Sequence, residues 1–212
     1  NKQRSIVLYT GSAWEKWSPP MIETTGLGGS ETMAAKIAEE LHKLGFNIKV
    51  FNDCRDLAGN YNGVEYIHHE KFNEFVANNE MDVFVSSRVP WIFGLDIKSK
   101  ANLCWVHDIW LAQDSNTYIG QDKVDKYLVL SPWHQKFFSD HHKVSTDQTH
   151  LMRNGISLER FKDLPEKNKN RIIYSSSPDR GLDVLLQLFP QMKAKYPDLE
   201  LHVFYGFDNW NK

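Results

Sequence analysis

Residues 26–31 (Gly-Leu-Gly-Gly-Ser-Glu) have the composition of an anion-binding turn. They follow an apolar run at 5–10 that predicts a buried strand, and they lead into a helix with Ser30 as the expected N-cap and Glu31 in its first turn. Glycines in such a turn expose backbone N–H groups, and the helix dipole adds partial positive charge. The sequence therefore predicts a corner that binds phosphate or clustered oxygens. A tight turn that needs glycine only for its backbone conformation is the alternative.

Two further polar sites lie at the ends of predicted elements. His107 and Asp108 follow a predicted strand at 101–106, so His107 is placed to contact a substrate hydroxyl or to transfer a proton. A histidine held by Asp108 or by a loop carbonyl is the alternative. Arg180 falls in the first turn of a helix expected to begin at Ser177, where a guanidinium beside free N–H groups binds phosphate. An exposed arginine without that role is the alternative.

The paired histidines do not predict a metal site. His68 and His69 lie in a predicted strand end, where neighbours point to opposite faces. His141 and His142 lie on a predicted helix, about 100° apart. Neither pair has the i,i+4 spacing of a helical metal site, so we expect surface histidines and no metal.

Aromatic residues are frequent, and seven of them are tryptophan. Four tryptophans fall in predicted loops or at strand ends: Trp14, Trp17, Trp91 and Trp110. Such rings stack on sugar faces or bases, but partly buried loop anchors are the favoured interpretation. A predicted helix carries three aromatic residues on one broad face: Trp133, Phe137 and Phe138. Core packing is the expectation for that face, with membrane or acceptor contact as the alternative.

The composition narrows the class of protein. A net charge of −2 and a pI near 6.5 argue against a general nucleic-acid binder, whose footprint is basic. The two cysteines, Cys54 and Cys104, lie far apart without a C-x-x-C pattern, so a disulfide framework or zinc site is not expected, and a cytoplasmic location fits. No apolar run approaches the length of a bilayer span.

Short apolar strands alternate with amphipathic helices along the chain. Strands are predicted at 5–10, 47–51, 64–67, 82–86, 101–106, 127–130 and 150–152. Helices are predicted after Ser30, at 71–79 and at 132–141, where Ser131 before a proline is the expected N-cap. The first helix should end at Gly45 and present one apolar face, made of Met33, Ile37, Leu41 and Leu44. The alternation predicts an α/β fold with a parallel sheet and helices on both faces. Ligands of such sheets sit outside the carboxyl ends of the strands.

The pattern divides the chain into a first α/β domain at 1–161, a linker at 162–170 and a single βαβ unit at 171–212. The linker is charged, carries a proline and lacks apolar periodicity. After it come a strand at 171–175, a helix that Pro190 should kink or split, and a strand at 199–205 ending at Gly206. One βαβ unit cannot cover both faces of its own sheet, so we expect it to begin a truncated second domain. Addition of its strands to the first sheet is the alternative.

Four stretches together resemble a GT-B glycosyltransferase of the family 4 type. They are residues 28–31 with the alanine-rich helix that follows, 105–108, 130–138 with 154–161, and 172–186. In the same order, they resemble the family's G-G-x-E loop, its H-D pair at a strand end, the helix and N-G-I motif where its N-terminal domain ends, and the first residues of its C-terminal domain. The resemblance covers nearly the whole chain.

The resemblance implies a hexosyltransferase-type enzyme that transfers a sugar, with retention and without a metal or cofactor, from a nucleotide sugar to a hydroxyl acceptor. It also implies two Rossmann-like domains, each with a parallel sheet. The N-terminal domain would be the acceptor side, and the C-terminal domain would bind a UDP-, GDP- or ADP-sugar donor. The acceptor would be a glycan or a lipid-linked or protein-linked hydroxyl. Nucleic acid is not an expected partner, and peripheral contact with a membrane surface is left open.

The resemblance also implies roles for individual residues. The catalytic residues would be His107 and Asp108, with His107 near the reacting carbon of the donor sugar. The donor and its phosphates would be bound by Gly28, Gly29, Ser177, Arg180 and Gly206. The acceptor side would include Glu31, Trp110 and Asn154. Arg180 stands where the family has a lysine, and Ser177 stands near the family's arginine, whose charge a serine does not supply.

The sequence departs from the family in one large respect. The family's E-x7-E segment belongs downstream of residue 212, so the resemblance implies a fragment or one half of a split enzyme, with a missing C-terminal domain as partner and little or no transferase activity alone. Two other classes remain alternatives: an NAD(P)-dependent Rossmann oxidoreductase and a non-catalytic carbohydrate-binding module. The oxidoreductase would require a G-x-G-x-x-G turn, which is absent, and an acidic residue after the second strand, where Asp53 is the nearest candidate.

Overall fold

The computed structural model describes residues 3–109, 111 and 120–204. Trp110 and Gly206, both predicted site residues, lie outside the described residues, as does position 205 of the last predicted strand. The chain forms two compact units, Asn1–Ile156 and Ser157–Lys212. The predicted domain limits at 161 and 171 and the linker between them stay predictions.

The described part of the first unit is built from eight strands and four α-helices. The strands are β1 (Ser5–Gly11), β2 (Asn47–Asn52), β3 (Gly59–Tyr61), β4 (Val64–His68), β5 (Met81–Ser87), β6 (Ser99–Trp105), β7 (Lys126–Val129) and β8 (Thr149–Leu151). The helices are α1 (Met21–Thr24), α2 (Gly29–Lys43), α3 (Phe72–Asn78) and α4 (Pro132–His142).

The eight strands form one sheet in the order β3-β4-β2-β1-β5-β6-β7-β8. Every neighbouring pair is parallel except β3 and β4, which run antiparallel. The predicted α/β fold with a parallel sheet is therefore confirmed. Strand β3 was missed, although Asn62 and Gly63 form the two-residue Asn-Gly connection, both at positive φ, that is typical of hairpins.

Two apolar layers cover the two faces of the sheet. Side chains alternate along β1, so that Ile6 and Leu8 join one buried cluster while Val7 and Tyr9 join the other. One layer includes residues of α2, and the other includes residues of α3 and α4. At the amino ends of the strands, the Asp82 carboxylate accepts hydrogen bonds from the backbone N–H (2.8 Å) and the hydroxyl (3.2 Å) of Ser5. These bonds connect β1 to β5.

Helix α2 packs through alanines rather than through its large apolar residues. The buried residues of the helix are Ala34, Ala35 and Ala38. Of the predicted face, Ile37 and Leu41 pack partly against the core, whereas Leu44 is 75% exposed, so the prediction is wrong at that position. Small side chains let the helix approach the sheet closely.

Both ends of α2 are set by glycine. The N-cap is Gly28, not the predicted Ser30, which lies inside the first turn. At the other end Gly45 has a φ of +93°, as the predicted helix end requires. The Gly45 N–H donates to the His42 carbonyl (2.8 Å) and the Phe46 N–H donates to the Leu41 carbonyl (3.1 Å), which is the Schellman pattern.

The second unit contains two described strands, β9 (Arg171–Tyr174) and β10 (Glu200–Val203), paired in parallel and connected by helix α5 (Leu182–Lys195). The helix begins at Leu182 rather than at Ser177, because a 3₁₀ turn over Pro178–Arg180 and Gly181 at φ +100° come first. Helix α5 runs through Pro190, so the predicted split does not occur. Within the described residues, no helix has the length and apolar content to cross a bilayer.

Two glycines at positive φ provide a matched test of the fold. A Cβ at Gly45 would enter open space, whereas a Cβ at Gly120 (φ +85°) would lie 2.2 Å from the Phe93 carbonyl oxygen. We expect Gly45→Ala to lower the free energy of unfolding by about 1 kcal/mol through backbone strain alone. Gly120→Ala should cost about 1–3 kcal/mol more, because the backbone must also move. Urea unfolding measures both, and equal losses would contradict the Gly120–Phe93 approach.

Candidate functional site

A cavity of about 900 Å³ opens at the carboxyl edge of the sheet. The chain leaves β1 toward β2 on one side and later returns to place β5 on the other side, so the strand order reverses at β1. Such a reversal separates the loops that follow the two strands and leaves a crevice. The cavity lies there, with walls from the end of β1, the start of α2, and the loops after β5 and β6.

Arg88, directly after β5, connects three of these elements. Its Nε donates to Asp108 Oδ2 at 2.7 Å, and its Nη1 donates to the Ser30 hydroxyl at 3.0 Å. Nη1 also lies 3.8 Å from Glu31 Oε1. Arg88 has a φ of +67°, an uncommon backbone conformation for a residue with a side chain. Arg88 was not among the predicted site residues, although its position immediately after a buried strand was a signal for it.

The glycine corner is occupied by a carboxylate of its own chain. Gly28 and Gly29 are exposed, and no side chain caps the first turn of α2. A Cβ at Gly28 would lie 2.2 Å from Glu31 Oε2, so the glycine makes room for Glu31 to fold back over the turn. The Ser30 hydroxyl donates to the same oxygen at 2.9 Å. The positive end of the helix is thus faced by Glu31, and Arg88 balances that charge.

His107 lies beside the cavity but is not part of its lining. Its ring packs against Trp105, with 4.4 Å between the ring centroids. Burial, and then the nearby Arg88 guanidinium, lower the pKa of His107 to about 4, so the imidazole is neutral at physiological pH. Its Nε2 is buried without a hydrogen-bond partner in the described structure.

Two buried histidines of α4 hold the loop that follows β6. His134 Nδ1 accepts from the Leu130 N–H (3.2 Å), and its Nε2 lies 3.1 Å from the Asp108 carbonyl oxygen. His142 Nε2 lies 3.4 Å from the carbonyl oxygen of Ile109. The predicted N-cap Ser131 is confirmed, since its hydroxyl accepts from the His134 N–H (3.0 Å).

The predicted surface positions on α4 are therefore partly wrong. His142 is buried, because its ring reaches the loop after β6. The single aromatic face also divides into two: Phe138 is fully buried, whereas Trp133 is 64% exposed and stacks on Phe137, with ring centroids 5.4 Å apart.

The structure brings Asp53 next to His68 and His69, a group that the sequence analysis did not assemble. Their ligand-type atoms lie within 4.8 Å of one another, which is close enough to hold a metal ion. Arg55 already donates to both Asp53 oxygens, at 2.9 and 3.2 Å. Burial opposes ionisation of Asp53, but the Arg55 guanidinium and the Ala13 N–H outweigh it and lower its pKa. A metal would have to displace Arg55.

The loop tryptophans divide into two kinds. Trp17 is 2% exposed and packs edge-on against Tyr66, as the anchor interpretation predicts. Trp14 and Trp91 are 93% and 58% exposed, and both line the cavity, so the anchor interpretation is wrong for them.

The other predicted site residues lie apart from the cavity lining or in the second unit. Asn154 is exposed in the segment after β8. In the second unit, Arg180 is exposed within the 3₁₀ turn, and the Ser177 carbonyl accepts from the Tyr174 hydroxyl at 2.7 Å. Of the predicted residues, the cavity lining includes Glu31 and Asp108.

The sequence matches no protein-family model and no curated protein. Solved structures do match, with low identity over nearly the whole chain. A glycosyltransferase from Rickettsia africae ESF-5 is 12% identical with a TM-score of 0.64, over 99% of this chain and 71% of that one. The apo lipopolysaccharide outer core galactosyltransferase WaaB is 13% identical with a TM-score of 0.57, over 98% of this chain and 70% of that one.

A sucrose-phosphate synthase from Thermosynechococcus elongatus is 12% identical with a TM-score of 0.51, over 98% of this chain and 71% of that one. Likeness at this level of identity shows the fold. The chain therefore has the Rossmann-like α/β fold of GT-B glycosyltransferase structures.

The neutral state of His107 predicts a pH dependence of stability. Its pKa is lowered to about 4 on folding, so the unfolded chain takes up a proton first as the pH falls. The contribution of neutral His107 to the free energy of unfolding is present above pH ~6.5, the pKa of an unperturbed histidine. It is lost as the pH falls toward 4. Replacing His107 with glutamine should make the decline in unfolding free energy between pH 7.5 and 4.5 smaller by about 2 kcal/mol.

Urea unfolding at several pH values measures this slope. His150→Gln, at an exposed histidine, is the matched control and should keep the slope of the unsubstituted chain. A His107→Gln protein with that same slope would show that His107 is not held neutral.

Proposed function

We propose that this chain is the acceptor-side part of a GT-B glycosyltransferase of the family 4 type. It would take part in retaining, metal-independent transfer of a sugar from a nucleotide sugar to a hydroxyl acceptor. The observation that carries the proposal is the cavity at the strand-order reversal, bordered by the glycine start of α2 and the strand-end His107-Asp108 pair, in a fold matched by glycosyltransferase structures.

The residues at this edge support binding and positioning. A diphosphate would bind the exposed turn at Gly28 and Gly29 only by displacing the Glu31 carboxylate from the positive end of α2, so the turn is proposed to contact the neutral sugar of the donor. His107, being neutral, would exchange hydrogen bonds with a sugar hydroxyl rather than attract an anion. Asp108 is oriented by Arg88 through its carboxylate and by His134 through its carbonyl, which fixes the loop on which both candidate catalytic residues lie.

In the second unit, Arg180 and Ser177 are proposed to bind the donor diphosphate. The exposed guanidinium of Arg180 precedes the start of α5, which no side chain caps. Stabilising the charge that develops on the departing diphosphate is the contribution that such groups make in phosphate-releasing reactions.

Asp53 argues against an NAD-dependent oxidoreductase. An NAD-binding Rossmann fold uses a free acidic side chain after the second strand to bind the ribose. Asp53 follows β2 but is 3% exposed, and Arg55 and the Ala13 N–H bind its oxygens.

Nuclear magnetic resonance titration of the labelled chain tests the proposal. We expect millimolar UDP-glucose, GDP-mannose or ADP-glucose to shift the backbone amide signals of Gly28, Gly29 and His107, with one nucleotide clearly preferred. In the second unit, Arg180→Ala should weaken nucleotide-sugar binding, read from the amide signals of residues 177–183, by about tenfold, since a charge-assisted hydrogen bond is lost. Arg153→Ala, at an exposed arginine of the first unit, is the control and should leave the affinity unchanged.

The rival classes give different results in the same titration. Shifts at Gly28 and Gly29 with NAD⁺ and none with the nucleotide sugars would replace the proposal by an oxidoreductase. Shifts with free sugars and none with any nucleotide sugar would replace it by a carbohydrate-binding module.

A further inference from the structure

Trp14 and Trp91 are exposed at the same cavity. Trp14 lies in the loop after β1 and Trp91 in the 3₁₀ turn after β5, so the two rings come from the two sides of the strand-order reversal. Tryptophan is costly to leave in water, and single exposed rings are ordinary, but two at one concave site mark a binding surface. A flat indole ring with adjacent polar groups suits a ligand that has both an apolar face and many hydroxyls.

The described polar lining of the cavity includes hydroxyl and carboxylate groups beside one guanidinium and one imidazole. Hydroxyls come from Ser12 and Ser30, and carboxylates from Glu31 and Asp108. Hydroxyl groups donate and accept hydrogen bonds, and carboxylates accept two or more. This set of donors and acceptors matches a ligand that presents several hydroxyls at its edges.

The charge of the lining disfavours an anionic ligand. Among the described residues, the lining carries two carboxylates, the guanidinium of Arg88 and the imidazole of His69. This guanidinium is already engaged, at 2.7 Å from Asp108 and 3.8 Å from Glu31. A phosphate here would have to compete with two carboxylates of the protein for one cation.

We propose that the acceptor held in this cavity is a neutral saccharide whose sugar rings stack on Trp14 and Trp91 while its hydroxyls bind Glu31 and Asp108. This inference rests on the proposed function and narrows its acceptor from any hydroxyl compound to a glycan end. A lipid tail is disfavoured, because the described lining includes two carboxylates and a guanidinium beside its apolar residues. A phosphorylated acceptor is disfavoured by the charge of the lining.

The test uses neutral disaccharides as probes: maltose, cellobiose, lactose and N,N′-diacetylchitobiose. Resonance titration of the labelled chain should show one of them shifting the signals of residues 10–13 and 88–91. Trp14→Ala and Trp91→Ala should each weaken its binding by about five- to tenfold, the loss expected for one stacking contact. Trp14→Phe, which keeps a ring, should retain most of the affinity.

The matched control is Trp133→Ala, which removes a tryptophan of comparable exposure that is not among the cavity-lining residues. It should leave saccharide affinity unchanged. Equal affinity in all the variants, or no binding of any neutral disaccharide, would overturn the inference. Tighter binding of glucose 6-phosphate or of phosphatidylglycerol vesicles would also overturn it and would identify the competing acceptor chemistry.

Failure here is distinguishable from failure of the proposed function. Suppose that a nucleotide sugar shifts the signals of Gly28, Gly29 and His107, and that no saccharide shifts those of Trp14 and Trp91. That result would support the transferase proposal and contradict the saccharide acceptor. Saccharide binding at the tryptophans without any nucleotide-sugar response would retain the saccharide site and reject the transferase.

Discussion

The reversal of strand order at β1 is the constraint on which the candidate site depends. Because β2 and β5 lie on opposite sides of β1, the loops that leave β1 and β5 turn away from each other. The parallel pairing of β1, β5 and β6 then brings their carboxyl ends to one edge. Residues far apart in the sequence, such as Glu31, Arg88 and Asp108, meet there without a long excursion of the chain. The cavity is a product of topology before any side chain shapes it.

Fixed contacts between loops then give the crevice a defined lining. Arg88 connects the start of α2 to the loop after β6, and His134 contacts the same loop through the carbonyl oxygen of Asp108. Exposed ion pairs contribute little each, so the stability of this arrangement comes mainly from the packed strands and from the buried histidine contacts. What the ion pairs supply is geometry, since they set where the two carboxylates of the lining can point.

The alternation of apolar strands and amphipathic helices was enough to predict the sheet, and local signals located the helix start at Ser131 and the helix end at Gly45. Those features depend on neighbours in the sequence. Arg88 and the approach of Asp53 to His68 and His69 were not predictable in this way, because they depend on which strands become neighbours. Leu44 was misplaced since apolar periodicity continued one residue beyond the helix. The start of α5 was misplaced because a serine–proline pair opens a 3₁₀ turn as readily as an α-helix.

The central place of β1 also governs how the chain acquires its structure during synthesis. Ser5 and its partner Asp82 are 77 residues apart, so at the usual ribosomal rate of about 5–20 residues per second β1 emerges roughly 4–15 s before β5. During that interval β2 is the first parallel neighbour available to it, and one edge of an apolar strand remains open to other nascent chains. Once β5 arrives, β6, β7 and β8 extend the sheet in the order of their synthesis. Slow translation of the segment between β1 and β5 would lengthen the exposed interval.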